Sequence, residues 1–212
     1  MRRSDASELR RAGHAWPGRV NVAPHHLPLM QLRATMRALA AAVLFAVAPG
    51  ASADAPRELP SFTHSAAGDW INSAPLWSVE LRGHPVLVEV WTFECSNCLA
   101  SLPWMQRIAA AYQGRGLVIV GVHTPELQEE HDRSKVVAAV RRLDIRYPVM
   151  LDADYSYWQS LGNRYWPAFY LYDAAGRLLA TRIGELHAGE AGADAFERLL
   201  ASRLPVAAGE QR

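Results

Sequence analysis

The chain has two cysteines in 212 residues, and they stand three apart in Cys95-Ser96-Asn97-Cys98. A pair at that spacing can staple the chain, supply half of a metal site, or cycle between dithiol and disulfide in exchange with another thiol. A staple gains from the length of loop it closes, and two intervening residues give it little. A zinc site normally takes four ligands, and there is no second cysteine pair, so no metal is assigned. Redox exchange is the reading best suited to the spacing, and it needs no cofactor because the two sulfurs carry the electrons themselves.

The elements around the pair decide how the sulfurs differ. Val86-Leu87-Val88-Glu89-Val90 is β-branched and apolar apart from Glu89, and reads as a buried strand. The chain turns at Glu94 into a helix expected over residues 99–112, with Leu102, Met105, Ile108, Ala109 and Tyr112 on one face and a kink at Pro103. Both thiols then lie where a strand ends and a helix begins, where free N–H groups and the helix dipole favour an anion. Cys95 should be the better thiolate, and Cys98, one turn in, can close on it.

A second buried strand is expected over 116–122, parallel to the first by a right-handed crossover. His123-Thr124-Pro125-Glu126 follows as a loop at its carboxyl end, the side on which open α/β sheets collect their sites. A helix over 134–143, a strand over 147–151, a short helix over 154–161, a hairpin of strands 168–172 and 178–183, and a closing helix over 193–204 complete the pattern.

Residues 54–69 read as a linker and 205–212 as a tail. Upstream, Arg33 and Arg37 precede the apolar run 38–48, and Ala51-Ser52-Ala53 offers small residues for cleavage. This is the pattern of a secretory signal over 30–53, cut after Ala53. Residues 1–29 show no periodicity and read as non-structural or as a start placed too early. The mature chain is expected to be exported, periplasmic in a bacterium, with no integral membrane segment. The formal charge of +1 hides an uneven split: from Asp54 onward there are 15 Lys plus Arg against 19 Asp plus Glu, which argues against a nucleic-acid partner.

Four motifs in order, Trp70-Ile71-Asn72, Trp91-Thr92-Phe93-Glu94-Cys95-Ser96-Asn97-Cys98, Gly121-Val122-His123-Thr124-Pro125-Glu126 and Asn163-Arg164-Tyr165-Trp166-Pro167-Ala168, with Pro103 five residues past the second cysteine, carry a resemblance. Over residues 70–204 the chain resembles the thioredoxin superfamily. Within it the likeness is to exported TlpA-like thiol-disulfide oxidoreductases and the thioredoxin-like domain of DipZ-type proteins.

The resemblance implies an α/β thioredoxin-like fold, with a central mixed sheet flanked by helices, an N-terminal extension and an inserted helix before a cis-proline. It implies that Cys95 is the attacking sulfur, that Cys98 resolves the mixed disulfide, and that Pro167 is the cis-proline facing them. Glu89 matches the buried acid that helps the second thiol lose its proton. Protein thiols or disulfides are the implied partners, with a membrane reductase as electron donor. Ser96-Asn97 departs from thioredoxin's Gly-Pro, and the further domains of DipZ-type proteins have no counterpart in this sequence.

Glu94, beside Cys95, should oppose the helix dipole, disfavour the thiolate and push the couple toward a reductant. Trp91, Trp166, Tyr165 and Phe93 are candidates for an apolar rim that grips partner peptides, with core packing an equal claim on Trp91. His123 reads as a satisfied loop histidine, and Glu126, Glu129, Glu130 and Asp132 as a solvated loop. Two rival functions remain. One is a peroxiredoxin-like thiol peroxidase, from Thr92 three residues before Cys95, although Val88 stands where that family has proline. The other is a copper carrier with Cys95, Cys98 and His187 or His123 as ligands.

Overall fold

The computed structural model describes residues 58–205. The expectations for residues 1–29, the signal over 30–53 and most of the tail fall outside the described residues.

Val86–Trp91 (β2) is buried along its whole length, as a run apolar on both faces demands when helices cover both sides of a sheet. It pairs in parallel with Val118–His123 (β3), from Val86 opposite Val118 to Trp91 opposite His123. Val149–Leu151 (β4) continues the parallel set, and Trp70–Ile71 (β1) closes that edge antiparallel. On the other side Ala168–Tyr172 (β5) and Leu178–Ile183 (β6) add antiparallel strands, giving the order β1-β4-β3-β2-β5-β6.

Alternation along β2 sorts the core. Leu87 and Trp91 face a cluster built with Trp104, Met105 and Ile108 of Ser96–Tyr112 (α1), Val136 and Val140 of Arg133–Arg142 (α2), and Phe196 and Leu200 of Ala191–Ala201 (α4). Val86, Val88 and Val90 face a second cluster with Phe62, Trp70 and Tyr157, the last from Ser156–Ser160 (α3). Glu89, between Leu87 and Trp91 in the period of two, is therefore turned toward the α1 side.

The fold is the expected mixed α/β arrangement, with informative shifts at the element ends. Helix α1 begins at Ser96 rather than at 99, and it continues through Pro103 as one element. His123 is the last residue of β3 rather than the start of a loop. Tyr147 lies before β4, outside the strand expected there. Residues 58–69, expected as linker, are packed into the domain. Phe62 is buried against Trp70 and Tyr157 at ring-centroid distances of 5.4 and 5.2 Å, and Leu59 N–H bonds to the Gly176 carbonyl at 2.8 Å.

Candidate active site

The sulfur pair sits at the mouth of α1. Cys95 is the N-cap residue with extended backbone, and its Sγ accepts the Cys98 N–H at 3.2 Å, so a helix-start donor is already aimed at that sulfur. The two cysteines are joined in a disulfide. Cys98 is 3% exposed, while Cys95 keeps a partly open face. One sulfur can thus be reached from outside and the other only through it. Below them Ser101 ties the first turn down: its buried hydroxyl donates to the Asn97 carbonyl and accepts the Leu186 N–H, both at 3.0 Å.

Glu89 is fully enclosed, and Tyr147 donates its hydroxyl to Glu89 Oε2 at 2.7 Å. Burial pushes the carboxyl up to about 7, against the lowering effect of the Tyr147 hydrogen bond. The Tyr147 hydroxyl is itself driven well above its ordinary range by burial and by the Glu89 charge. The packing here depends on Gly121, opposite Glu89 in the β2–β3 register. A Cβ at Gly121 would stand 3.0 Å from Trp91 Nε1 and 3.1 Å from Tyr147 Cε2.

The Trp166–Pro167 peptide bond is cis. Pro167 is buried, and its carbonyl accepts the Gly184 N–H at 2.9 Å. Trp166 and Cys95 both pack against the α1-side cluster, and Trp166 reaches the second cluster as well. Its indole N–H donates to the Thr124 carbonyl at 3.0 Å, and its ring lies 4.2 Å from that of Trp158. Tyr165 is 61% exposed next to this turn.

The expected rim divides. Tyr165 and Trp166 are open to a partner in whole or in part, but Trp91 and Phe93 are core residues, 3% and 5% exposed, each packed against the His123 ring. Substrate contact is corrected to core packing for Trp91, because β2 is covered on both faces.

The loop after β3 differs from the solvated acidic loop expected from sequence. Glu130, expected in solvent with its acidic neighbours, is 1% exposed. Its Oε1 accepts the Thr92 hydroxyl and, at 2.9 Å, the Glu94 N–H. Its Oε2 accepts the Glu126 and Leu127 N–H groups at 2.7 and 2.8 Å. Burial pushes this carboxyl up, but the four donors outweigh it and hold it below the ordinary value. With its hydroxyl hydrogen directed at Glu130, Thr92 accepts from His123 Nε2 at 3.1 Å. His123 is buried rather than a loop residue, and burial lowers its pKa to about 4 against the raising effect of Glu130, so it is neutral at physiological pH. One sequence signal pointed to Glu130: a Glu at the third position of the turn Gln128–His131, spaced to reach back to the turn's own first N–H groups.

Among the described residues one group brings three potential metal-ligand atoms within 4.8 Å, His64, Asp152 and Asp154, and it includes neither cysteine. The oxygens of Asp152 already accept the Tyr157 and Trp158 N–H groups and the Thr124 hydroxyl, each at 2.9 Å, which makes Asp152 the cap of α3. His187, proposed as a copper ligand, pairs with Glu185 at 3.3 Å. The Thr92 hydroxyl, which a peroxidase reading requires near the peroxide, is committed to Glu130 and His123.

Comparison with known proteins agrees with this geometry. The DipZ protein of Mycobacterium tuberculosis is 39% identical over 119 residues, which are 55% of this chain and 17% of that one. The thiol-disulfide oxidoreductase YkuV of Bacillus subtilis is 27% identical over 115 residues, 54% of this chain and 77% of that one. A thiol-disulfide isomerase from Corynebacterium glutamicum superposes with a TM-score of 0.56 at 22% identity, covering 73% of this chain and 99% of the other. The chain therefore aligns with well under two thirds of the DipZ length, while the isomerase shares its fold almost end to end. The Redoxin family model matches residues 57–196, spanning both cysteines, Glu89, Glu130 and Pro167, and the chain belongs to the Redoxin family with a thioredoxin-like fold.

Proposed function

We propose that this protein is an exported thiol-disulfide oxidoreductase that reduces disulfides of other proteins through Cys95 and Cys98. The observation that carries the reading is the asymmetry of the pair. An accessible sulfur caps a helix, and a buried sulfur lies one turn behind it on the side toward which Glu89 is turned.

In the dithiol form the Cys95 thiolate attacks one sulfur of a partner disulfide. A mixed disulfide forms and the first partner thiolate leaves. Cys98, its proton passed to Glu89, then attacks Cys95 Sγ. The Cys95–Cys98 disulfide closes, the second partner thiolate leaves, and two electrons have gone to the partner. A carboxyl with a pKa of about 7 is suited to take a thiol proton and to give it up on recharging. Pro167 and Trp166 are assigned as the wall beside Cys95 from the likeness to thioredoxin-like oxidoreductases, and Tyr165 is the exposed aromatic that a partner peptide would meet first. The likeness to YkuV, a thiol-disulfide oxidoreductase, supports the same reaction class. Export rests on the apolar run 38–48 and the small residues at 51–53, and a membrane reductase is the proposed source of electrons.

The test is trapping. A Cys98→Ala variant should accumulate mixed disulfides on Cys95 that dithiothreitol releases, and a Cys95→Ala variant should accumulate none. Equal capture by both variants would end the reading.

A further inference from the structure

Thr92 and Glu94, two of the three residues before Cys95, are both tied to one buried acid. Glu130 receives four hydrogen bonds, three of them from backbone N–H groups that can only donate and the fourth from the Thr92 hydroxyl. Such a donor set selects the carboxylate over the carboxylic acid, because each oxygen already faces at least one N–H that cannot accept a proton: Glu94 at Oε1, Glu126 and Leu127 at Oε2. Among the described residues no Lys or Arg forms an ion pair with it. The charge is therefore spread over dipoles and is not cancelled by a cation. His123, the nearest titratable neighbour through Thr92, is neutral.

We propose that Glu130 is a positioning residue for Cys95, whose locked negative charge, one peptide unit from the sulfur-bearing residue, makes the Cys95 thiolate less stable and so keeps the pair reducing. This deepens the function proposed above and rests on it for the direction of electron flow.

Helix geometry and nearby charge oppose each other at Cys95. The start of α1 and the Cys98 N–H favour a thiolate on Cys95. Four acids lie on the stretches that frame the pair: Glu94 immediately before Cys95, Glu89 in β2, and Glu126 and Glu130 in the loop after β3. Glu94 and Glu126 are exposed, so water and salt screen them. Glu89, ionising near 7, is only partly charged at neutral pH. Glu130 alone of the four is both buried and held ionised. The opposing role read from sequence for Glu94 thus passes mainly to Glu130. The Glu94 N–H bond at 2.9 Å ties the Glu130 carboxylate to the residue directly before Cys95.

Two variants separate charge from mere tethering, because they have opposite signs. Glu130→Gln removes the charge and should lower the Cys95 pKa by about one unit, read by the pH dependence of iodoacetamide alkylation in a Cys98→Ala background. Thr92→Val keeps the charge and removes one of its screening donors, so the same pKa should rise. With Cys98 restored, Glu130→Gln should make the glutathione-titrated potential more oxidising by about 30 mV for a ten-fold gain in thiolate stability, seen at pH values where Cys95 is ionised.

A fall of the pKa in both variants, or no change in Glu130→Gln, overturns the proposal. If Glu130→Gln does not fold, Thr92→Val decides alone: a rise supports the proposal, and a fall or no change overturns it. Alkylation needs no partner protein. A failure of the function reading would appear as no mixed disulfides in the trapping experiment, while the alkylation result would still stand for Glu130.

Discussion

Two buried titratable side chains on neighbouring strands, Glu89 of β2 and His123 of β3, bend stability with pH in opposite directions. Glu89 ionises near 7 in the fold, while an exposed Glu does so at 4.5. Between those values the folded protein keeps a proton that the unfolded chain has released, so this group makes stability fall as pH rises through the window, by about 3 kcal/mol. His123 ionises at about 4 in the fold against 6.5 when free. From 4 to 6.5 the unfolded chain binds a proton that the fold refuses, so this group makes stability rise with pH, by a similar ~3 kcal/mol. The two slopes offset each other over most of their shared range. In Glu89→Gln the unfolding free energy should gain relative to wild type as pH goes from 4.5 to 7, and in His123→Asn it should lose relative to wild type from 4 to 6.5. Urea titrations at half-unit pH steps measure both differences. Difference curves that are flat, or that share a sign, would contradict the burial described for these two residues.

At the scale of elements, the sequence showed where strand meets helix around Cys95 because β-branched runs and helical spacing are local signals. It did not show Tyr147 or Glu130 as partners of the site, because each acts across the fold: Tyr147 on Glu89, 58 residues away, and Glu130 on Thr92, 38 away. A run of four acids within seven residues looks solvated, and only the reversal at 128–131 turns one of them inward. The Trp70-Ile71-Asn72 motif gains a physical reason from the same region. Asn72 adopts φ 66°, and its amide donates to the carbonyls of Ile145 at 2.8 Å and Tyr147 at 3.1 Å, so the edge strand β1 clamps the segment that aims Tyr147 at Glu89. Asn72→Ala loses both bonds and a residue suited to that backbone, and should cost about 2 kcal/mol in denaturant. Gly121→Ala presses a Cβ against Trp91 and Tyr147 and should cost about 1–3 kcal/mol. If it also displaces Tyr147, the Glu89 pKa should rise further, since the lowering hydrogen bond is lost.

Across the whole molecule, the loop after β3 joins the parts of the site. Glu130 holds the stretch before Cys95, and the Thr124 carbonyl holds Trp166 beside Pro167. The oxidised and reduced forms of one such scaffold differ in free energy, and that difference is linked to the redox potential by a thermodynamic cycle through the unfolded chain. A fold that stabilises its dithiol state is a strong oxidant, and a fold that stabilises its disulfide state is a reductant. Here the disulfide form leaves Glu130 opposed by no thiolate, and Glu89 can stay protonated without a thiol awaiting its help. The dithiol form must accommodate a thiolate on Cys95 against the Glu130 charge. The oxidised protein should therefore be more resistant to urea than the reduced protein at pH 7, with about 1.4 kcal/mol for each 30 mV by which the folded couple is more reducing than the same cysteine pair in the unfolded chain. Paired unfolding curves with and without dithiothreitol measure this, and a glutathione titration gives the potential independently. The two must agree through the cycle. A reduced form more stable than the oxidised one would reverse the direction of electron flow proposed for this protein.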